Sequence, residues 1–380
     1  MWCRIAFVLM ISRRWRRLNQ LTLVPPDKGS VSHKPSATTI ETLTAIWQGV
    51  LPVASIGLDD HFFSLGGSLR SADTLFAEIG REFGRELPSA TIYHAPTIAG
   101  LAFLLEQPIL PRFSPLVQVK TGSDNPPILI VHGLAGTVPF FELAEHIRTA
   151  NPVYGFQAKG VDGMEPPLES IEAMAALYLD SIKNLQPHGP YILVGYSFGG
   201  LVALEIAQRL TERGENIALL VLVDAYPDPR YLSPGQRLRL FARRAKRFVF
   251  ESNNRMTRAL AFIAPGLDRR LRPAIPAGRD PGSGAARLSF AHTTLHVKDK
   301  AYVALARYRP RFYPGKIKFL KSESDSYFHA DPVPVWKNLA ADIDFEVVPG
   351  GHLDLVTTDF ESLAVVLTRY LKEALGRSVQ

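Results

Sequence analysis

The chain has 380 residues, 46% hydrophobic and 21% charged, enough to bury one ordinary enzyme domain and a smaller companion. Its lone cysteine, Cys3, excludes an internal disulfide framework and any multi-cysteine zinc site, no metal is expected, and the composition fits a reducing cytoplasm. The formal charge of +7 would admit a nucleic-acid partner, but it is segregated: residues 36–107 hold eight acidic and three basic side chains, residues 230–300 four acidic and sixteen basic.

At the N-terminus, "IAFVLMI" is far shorter than the roughly 20 residues that span a bilayer. Only Arg4 precedes it and "RRWRR" follows, the reverse of a secretory signal. Residues 1–34 read as an unstructured leader, running into the Pro- and Ser-rich linker "VPPDKGSVSHKPSAT". Over 35–107, "ETLTAIWQGVL" has helical spacing, and a loop through "PVASIGLDDHFFSLGG" leads to a second helix. There Leu69, Ala72, Leu75, Phe76 and Ile79 share a stripe. "APTIAGLAFLLEQ" supplies a third helix after Pro96, so a small helical bundle is expected, joined by a stiff connector at 108–114.

From residue 115 the pattern changes. "PPILIVHG", "PVYGFQA", "YILVG" and "IALLVLVDA" read as buried strands. Between them "VPFFELAEHIRTA", "ESIEAMAALYLDSIKNL" and "FGGLVALEIAQRLTERG" read as helices. This alternation predicts an α/β fold: a mostly parallel sheet with helices on both faces.

"Gly195-Tyr196-Ser197-Phe198-Gly199" fits the G-x-S-x-G elbow, with an apolar strand running in and a helix running out. The serine must sit on a sharp turn where a neighbouring Cβ would clash. A tight turn without chemistry is the bland alternative. A serine hydroxyl needs a base, and the base an orienting acid, in the chain order Ser, Asp or Glu, His. Asp224 closes the apolar strand "ALLVLVD", and His352 lies just past a further strand, on a glycine-made loop in "FEVVPGGHLDLV". Among the alternatives, His292 and His329 lack a preceding strand, His132 comes too early, and Asp354 is too near His352 in the chain to orient its ring. A structural role for His352 remains open. "HGLAG" follows the first long strand, and the Leu134 amide is the candidate to complete an oxyanion hole with that of Phe198.

These motifs carry a family resemblance. "QPHGPYILVGYSFGGLVALEIA", with "VHGLAG", "VYGFQAKG", "SIEAMAALY" and "VPGGHLDLV", is similar to the thioesterase domains that end non-ribosomal peptide and polyketide assembly lines. The resemblance covers about 115–375 and implies an α/β-hydrolase with an acyl-enzyme on Ser197. That ester would form from a phosphopantetheine thioester and be resolved by water or an internal nucleophile. Residues 230–300 fall where the family places a helical lid, which argues against reading the basic "RLRLFARRAKRFVFE" as a lipid or nucleic-acid surface. Arg243, Arg244 and Arg247 of this segment are expected to face solvent and to steer an acidic carrier.

Residues 35–107 resemble a peptidyl or acyl carrier domain through "IWQGVL", "IGLDDHFFSLGG", "FGRELP" and "APTIAGLA". The family attaches 4'-phosphopantetheine to the serine of L-G-G-x-S-L, whereas this chain reads L-G-G-S-L, one residue short. Without a gap, Leu69 occupies the attachment position. Aligned on Ser68, the serine is kept but the helix turns by about 100°. Ser68 as a plain helix cap stays open as well. The partners implied are an acyl or peptidyl thioester and upstream synthetase modules or carrier proteins. Nucleic acid and membrane are not expected. The rival readings are a docking protein with a non-functional carrier unit and an editing thioesterase.

Overall fold

Three polar side chains start the helices of the N-terminal unit. Ser36 accepts the Thr39 amide at the head of α1 (Ala37–Val50), Ser68 accepts that of Ser71 at α2 (Leu69–Phe83), and Thr97 accepts that of Gly100 at α3 (Ile98–Glu106). A single 3₁₀ turn, Ser89–Tyr93, lies between α2 and α3. Leu43 and Trp47 are buried with Ala72, Leu75, Phe76 and Ile79, the stripe expected from the sequence, although Leu69 is only partly covered. This computed structural model describes residues 35–53, 55–108, 113–238, 241, 289–324 and 331–376. The leader, Arg243, Arg244, Arg247 and most of the basic 230–300 segment lie outside the described residues.

The remainder is built on seven strands: β1 (Leu116–Lys120), β2 (Ile128–Val131), β3 (Val153–Phe156), β4 (Tyr191–Tyr196), β5 (Ile217–Val223), β6 (Tyr313–Ser324) and β7 (Ala340–Gly351). Their order is β1-β3-β2-β4-β5-β6-β7. Only the β1–β3 pairing is antiparallel. Helices α4 (Phe141–His146), α5 (Ile171–Leu185), α6 (Phe198–Glu212), α7 (Phe290–Arg307), α8 (Val333–Trp336), α9 (Asp354–Thr357) and α10 (Phe360–Ala374), with a 3₁₀ turn at Pro229–Tyr231, complete the described elements. Successive residues of β2 feed different cores. Ile128 and Ile130 pack in the cluster that holds α4 and α10, Leu129 and Val131 in the one that holds α5 and α6. A strand buried on both faces needs such cover, and its apolar run is the consequence.

Three features depart from the sequence expectation. The helix expected over "VPFFELAEHIRTA" shrinks to α4, because the chain turns extended at Ile147, whose carbonyl accepts Lys120 Nζ at 2.8 Å. Strands β1 and β6 are additions to the expected set. In β6 the lysines of "KIKFLK" mask the strand signal, and β7 neutralises two of the three: Lys316 and Lys318 reach Asp344 at 2.9 and 2.7 Å.

The helical unit rests against the sheet domain through aromatic rings. Phe63 stacks on Tyr93 at 5.2 Å, Tyr93 lies parallel to Phe141 of α4 at 6.4 Å, and His61 sits 4.1 Å from Phe141. Asp73 of α2 accepts the Phe290 amide through both oxygens, at 2.8 and 2.9 Å, and also takes the Ser89 hydroxyl at 2.7 Å. Phe290 opens α7, so a carboxylate of the helical unit caps the helix that ends the 230–300 segment, where a negative charge is favourable. Asp73→Ala should therefore loosen this junction by about 1 kcal/mol. The expected result is faster hydrogen exchange at the first-turn amides of α7, with α6 unaffected. Unchanged exchange at Phe290 would contradict the capping role.

Candidate active site

β4 and α6 meet at Ser197 with no linker. Ser197 adopts φ 54° and ψ −121°, and its amide donates to Val223 O at 2.8 Å. Such backbone is costly for a residue with a Cβ and persists only where the surroundings enforce it. The enforcement comes from two close approaches. A Cβ at Gly195 would lie 2.4 Å from Gly200 Cα, and one at Gly199 would lie 2.2 Å from His132 O. The glycines of the motif are thus packing requirements of the turn.

The other partners come from distant strand ends. Asp224 follows β5 with φ 49°, is 3% exposed, and has its amide pinned to Leu320 O at 2.7 Å. His352 occupies the two-residue link between β7 and α9. Its Nδ1 lies 2.7 Å from Asp224 Oδ2 and its Nε2 3.0 Å from Ser197 Oγ. With Nδ1–H donating to the carboxylate, Nε2 is left to accept the serine proton. The Ser322 hydroxyl of β6 donates to the same Asp224 oxygen at 2.6 Å.

The alternatives fall elsewhere. Asp354 opens α9, where its carbonyl accepts the Thr358 and Asp359 amides, and the His352 ring turns to Asp224 instead. His132 is buried, with Nδ1 2.6 Å from Gly133 O and Nε2 2.5 Å from Tyr178 Oη. It braces the 132–136 turn from beneath. His292 lies in the first turn of α7. The expectation that His329 has no strand before it needs correction: β6 ends at Ser324, and His329 itself lies outside the described residues.

Phe198 is the first residue of α6, so its amide has no intrahelical acceptor. The 132–136 turn runs beside Ser197: a Cβ at Gly133 would be 3.9 Å from Ser197 Cβ. Among the described residues the Leu134 amide, on the next residue, has no acceptor. Sequence reasoning missed Ser322, which reaches the site on an unforeseen strand. It also missed the contact of Tyr196 with the His352 loop.

Ser68 lies on the other unit, exposed, as the N-cap of α2. The Ser71 hydroxyl accepts the Ser68 amide at 2.6 Å while Ser68 Oγ accepts the Ser71 amide at 3.2 Å. The inward stripe of α2 is kept, and the shortened loop still presents a hydroxyl at the helix start.

A mostly parallel sheet covered on both faces, with a serine on a strained strand-to-helix turn, defines an α/β-hydrolase preceded by a helical unit. The thioesterase-domain family matches residues 126–370, and the phosphopantetheine attachment site family matches residues 41–105. The chain belongs to the thioesterase-domain family, as a carrier–thioesterase didomain. It is 36% identical over 198 residues to malpibaldin synthetase of Mortierella alpina, a match covering 51% of this chain and 4% of that protein. It is 32% identical over 317 residues to a dimodular nonribosomal peptide synthase of Bacillus subtilis (strain 168), covering 80% of this chain and 13% of that one. The chain thus spans a small fraction of the curated relatives it matches. A four-domain nonribosomal peptide synthetase, crystallised in its holo form with AMP and glycine, shares the fold with a TM-score of 0.52. That match has 21% identity and covers 92% of this chain and 27% of that one. No helix among the described residues is long and apolar enough to cross a membrane.

Burial holds the imidazoles of His132, His94 and His61 down to about 4, against an ordinary value of 6.5. The unfolded chain therefore binds more protons than the folded one between those values. The stability is present in full above pH 6.5 and is lost as the pH falls towards 4. For the enclosed His132, 1% exposed, the loss is on the order of 3 kcal/mol. Urea midpoints should fall steeply between pH 6.5 and 4.5, and a flat profile would contradict neutral burial of these rings.

Proposed function

We propose that the chain releases an acyl or peptidyl group from a phosphopantetheine thioester through an ester on Ser197. The observation that carries this reading is the hydrogen-bond chain Ser197 Oγ–His352–Asp224, at 3.0 and 2.7 Å. His352 Nε2 takes the serine proton as Oγ attacks the thioester carbonyl. Asp224 holds the ring in the required tautomer and stabilises its charge. The Phe198 and Leu134 amides receive the developing oxyanion. When the tetrahedral centre collapses, the C–S bond breaks and His352 returns the proton to the leaving sulfur. Water, or a hydroxyl or amine of the acyl chain itself, then attacks the ester and gives its proton to His352. Ser197 recovers its proton as the product leaves, linear in the first case and cyclic in the second.

Ser68 fits a phosphopantetheine group: an exposed hydroxyl at the start of a 15-residue helix whose first amides lack intrahelical acceptors. The arm, when attached, supplies a thiol that carries the acyl group as a thioester. In this reading residues 35–107 are the carrier, 115–375 the thioesterase, and about 230–300 its lid. The acyl group is delivered by upstream synthetase modules of secondary-metabolite biosynthesis, in the cytoplasm. The missing loop residue before Ser68 favours a second reading, in which the carrier unit only docks the chain to a partner.

Ser197→Ala should fold normally and lose about 10⁵-fold or more in cleavage of a pantetheine thioester. Asp224→Asn should lose about 10⁴-fold in turnover by favouring the wrong tautomer. Near-normal turnover in either folded variant would remove that residue from its role. Mass spectrometry after treatment with a phosphopantetheinyl transferase separates the two readings of the carrier unit. One added arm, absent in Ser68→Ala, supports delivery, and no addition supports docking alone.

A further inference from the structure

His352 has little of its own structure to hold it. It lies on a two-residue link, between the last residue of β7 and the first of α9, yet its ring must serve two partners at hydrogen-bond distance. A base held this way needs its position fixed to about 0.5 Å. The side chain that meets it is Tyr196, the residue just before Ser197. The Tyr196 hydroxyl donates to His352 O at 2.7 Å, and the two rings lie stacked at 5.1 Å and 26°. The same ring abuts the 132–136 turn, where a Cβ at Gly133 would come within 3.1 Å of its Cε1. Tyr196 is 6% exposed, and burial, with the charges of Asp224 and Asp354, pushes its phenol above the ordinary range, so it stays a donor throughout the working pH range.

We infer that Tyr196 is a positioning residue that ties the His352 link to the strand bearing Ser197, and so sets the base against its nucleophile. The inference rests on the catalytic reading above. Its physical content is that the position between Gly195 and Ser197 is occupied for a reason of its own. A backbone carbonyl is anchored by the hydroxyl, an imidazole face is covered by the ring, and both constraints start one residue from the nucleophile. Ser197 and His352 therefore move as one body even though 155 residues separate them.

Tyr196→Phe keeps the ring and removes the donor. With a small pantetheine thioester, kcat should fall about tenfold with KM within twofold, in line with the loss of one hydrogen bond. The low-field proton resonance of the His352–Asp224 bond should shift. In an Asp224→Asn background, where the ring is already wrongly held, the further loss should be less than twofold. Replacing Tyr196 by a fluorinated tyrosine keeps shape and donor but lowers the hydroxyl's titration. That variant should lose kcat as the pH rises, where the unmodified protein does not, so the inference stays testable if the phenylalanine variant does not fold. Unchanged kcat and resonance in Tyr196→Phe would overturn it, as would equal losses in the two backgrounds. Turnover surviving in Ser197→Ala would instead overturn the catalytic reading itself.

Discussion

The structure turns on one strained residue. Ser197 is held at positive φ because it alone connects the end of β4 to the start of α6, and the two can approach only where Cβ atoms are missing. Contacts at 2.2 and 2.4 Å for added Cβ atoms leave no room for a side chain at Gly199 or Gly195. The strain is offset by the surrounding sheet: β4 pairs with β2 on one side and β5 on the other, and its six residues are all buried. A shorter or edge strand would relax the turn and let the hydroxyl swing away from the imidazole.

The other groups follow from where parallel strands end. β5 delivers Asp224, β6 Ser322 and β7 the link with His352, all on the side where β4 presents Ser197. Ligand and reaction sites of open α/β sheets lie at this edge because the loops there converge. A carboxylate as enclosed as Asp224 would be costly if unpaired. Its Oδ2 takes hydrogen bonds from Ser322 and His352, which offset the loss of water and fix the direction in which the acid acts. In the proposed mechanism the charge on Asp224 is useful only because those two donors already define its geometry.

Much of this arrangement was legible in the sequence. The elbow could be read because its glycines, its strand and its helix are contiguous. Asp224 could be read because a carboxylate closing a seven-residue apolar run is poorly suited to an ordinary solvated surface, and His352 because glycines precede it. What could not be read depends on long-range contacts. Ser322 sits in a strand disguised by lysines whose neutralising aspartate comes from β7. Tyr196 occupies the variable position of the motif, where a one-dimensional pattern has no information about a loop 156 residues away. The helical stripe of α2 was legible, but the one-residue shortfall before Ser68 gave conflicting alignments. Their geometric answer, a cap outside the stripe, needs the folded backbone.

The stacked Phe63, Tyr93 and Phe141 rings bear on how such a chain can be recombined. These residues belong to both units, and a single apolar cluster continues from Trp47 through Phe141 to Val117. A cut in the 108–114 connector would separate the two units in sequence yet split that cluster and leave Phe141 and Phe290 facing water. A chimera that keeps this thioesterase but imports another carrier must also import the equivalents of Phe63, Asp73 and Tyr93. Moving the two units together keeps this cluster whole, whereas moving either one alone divides it.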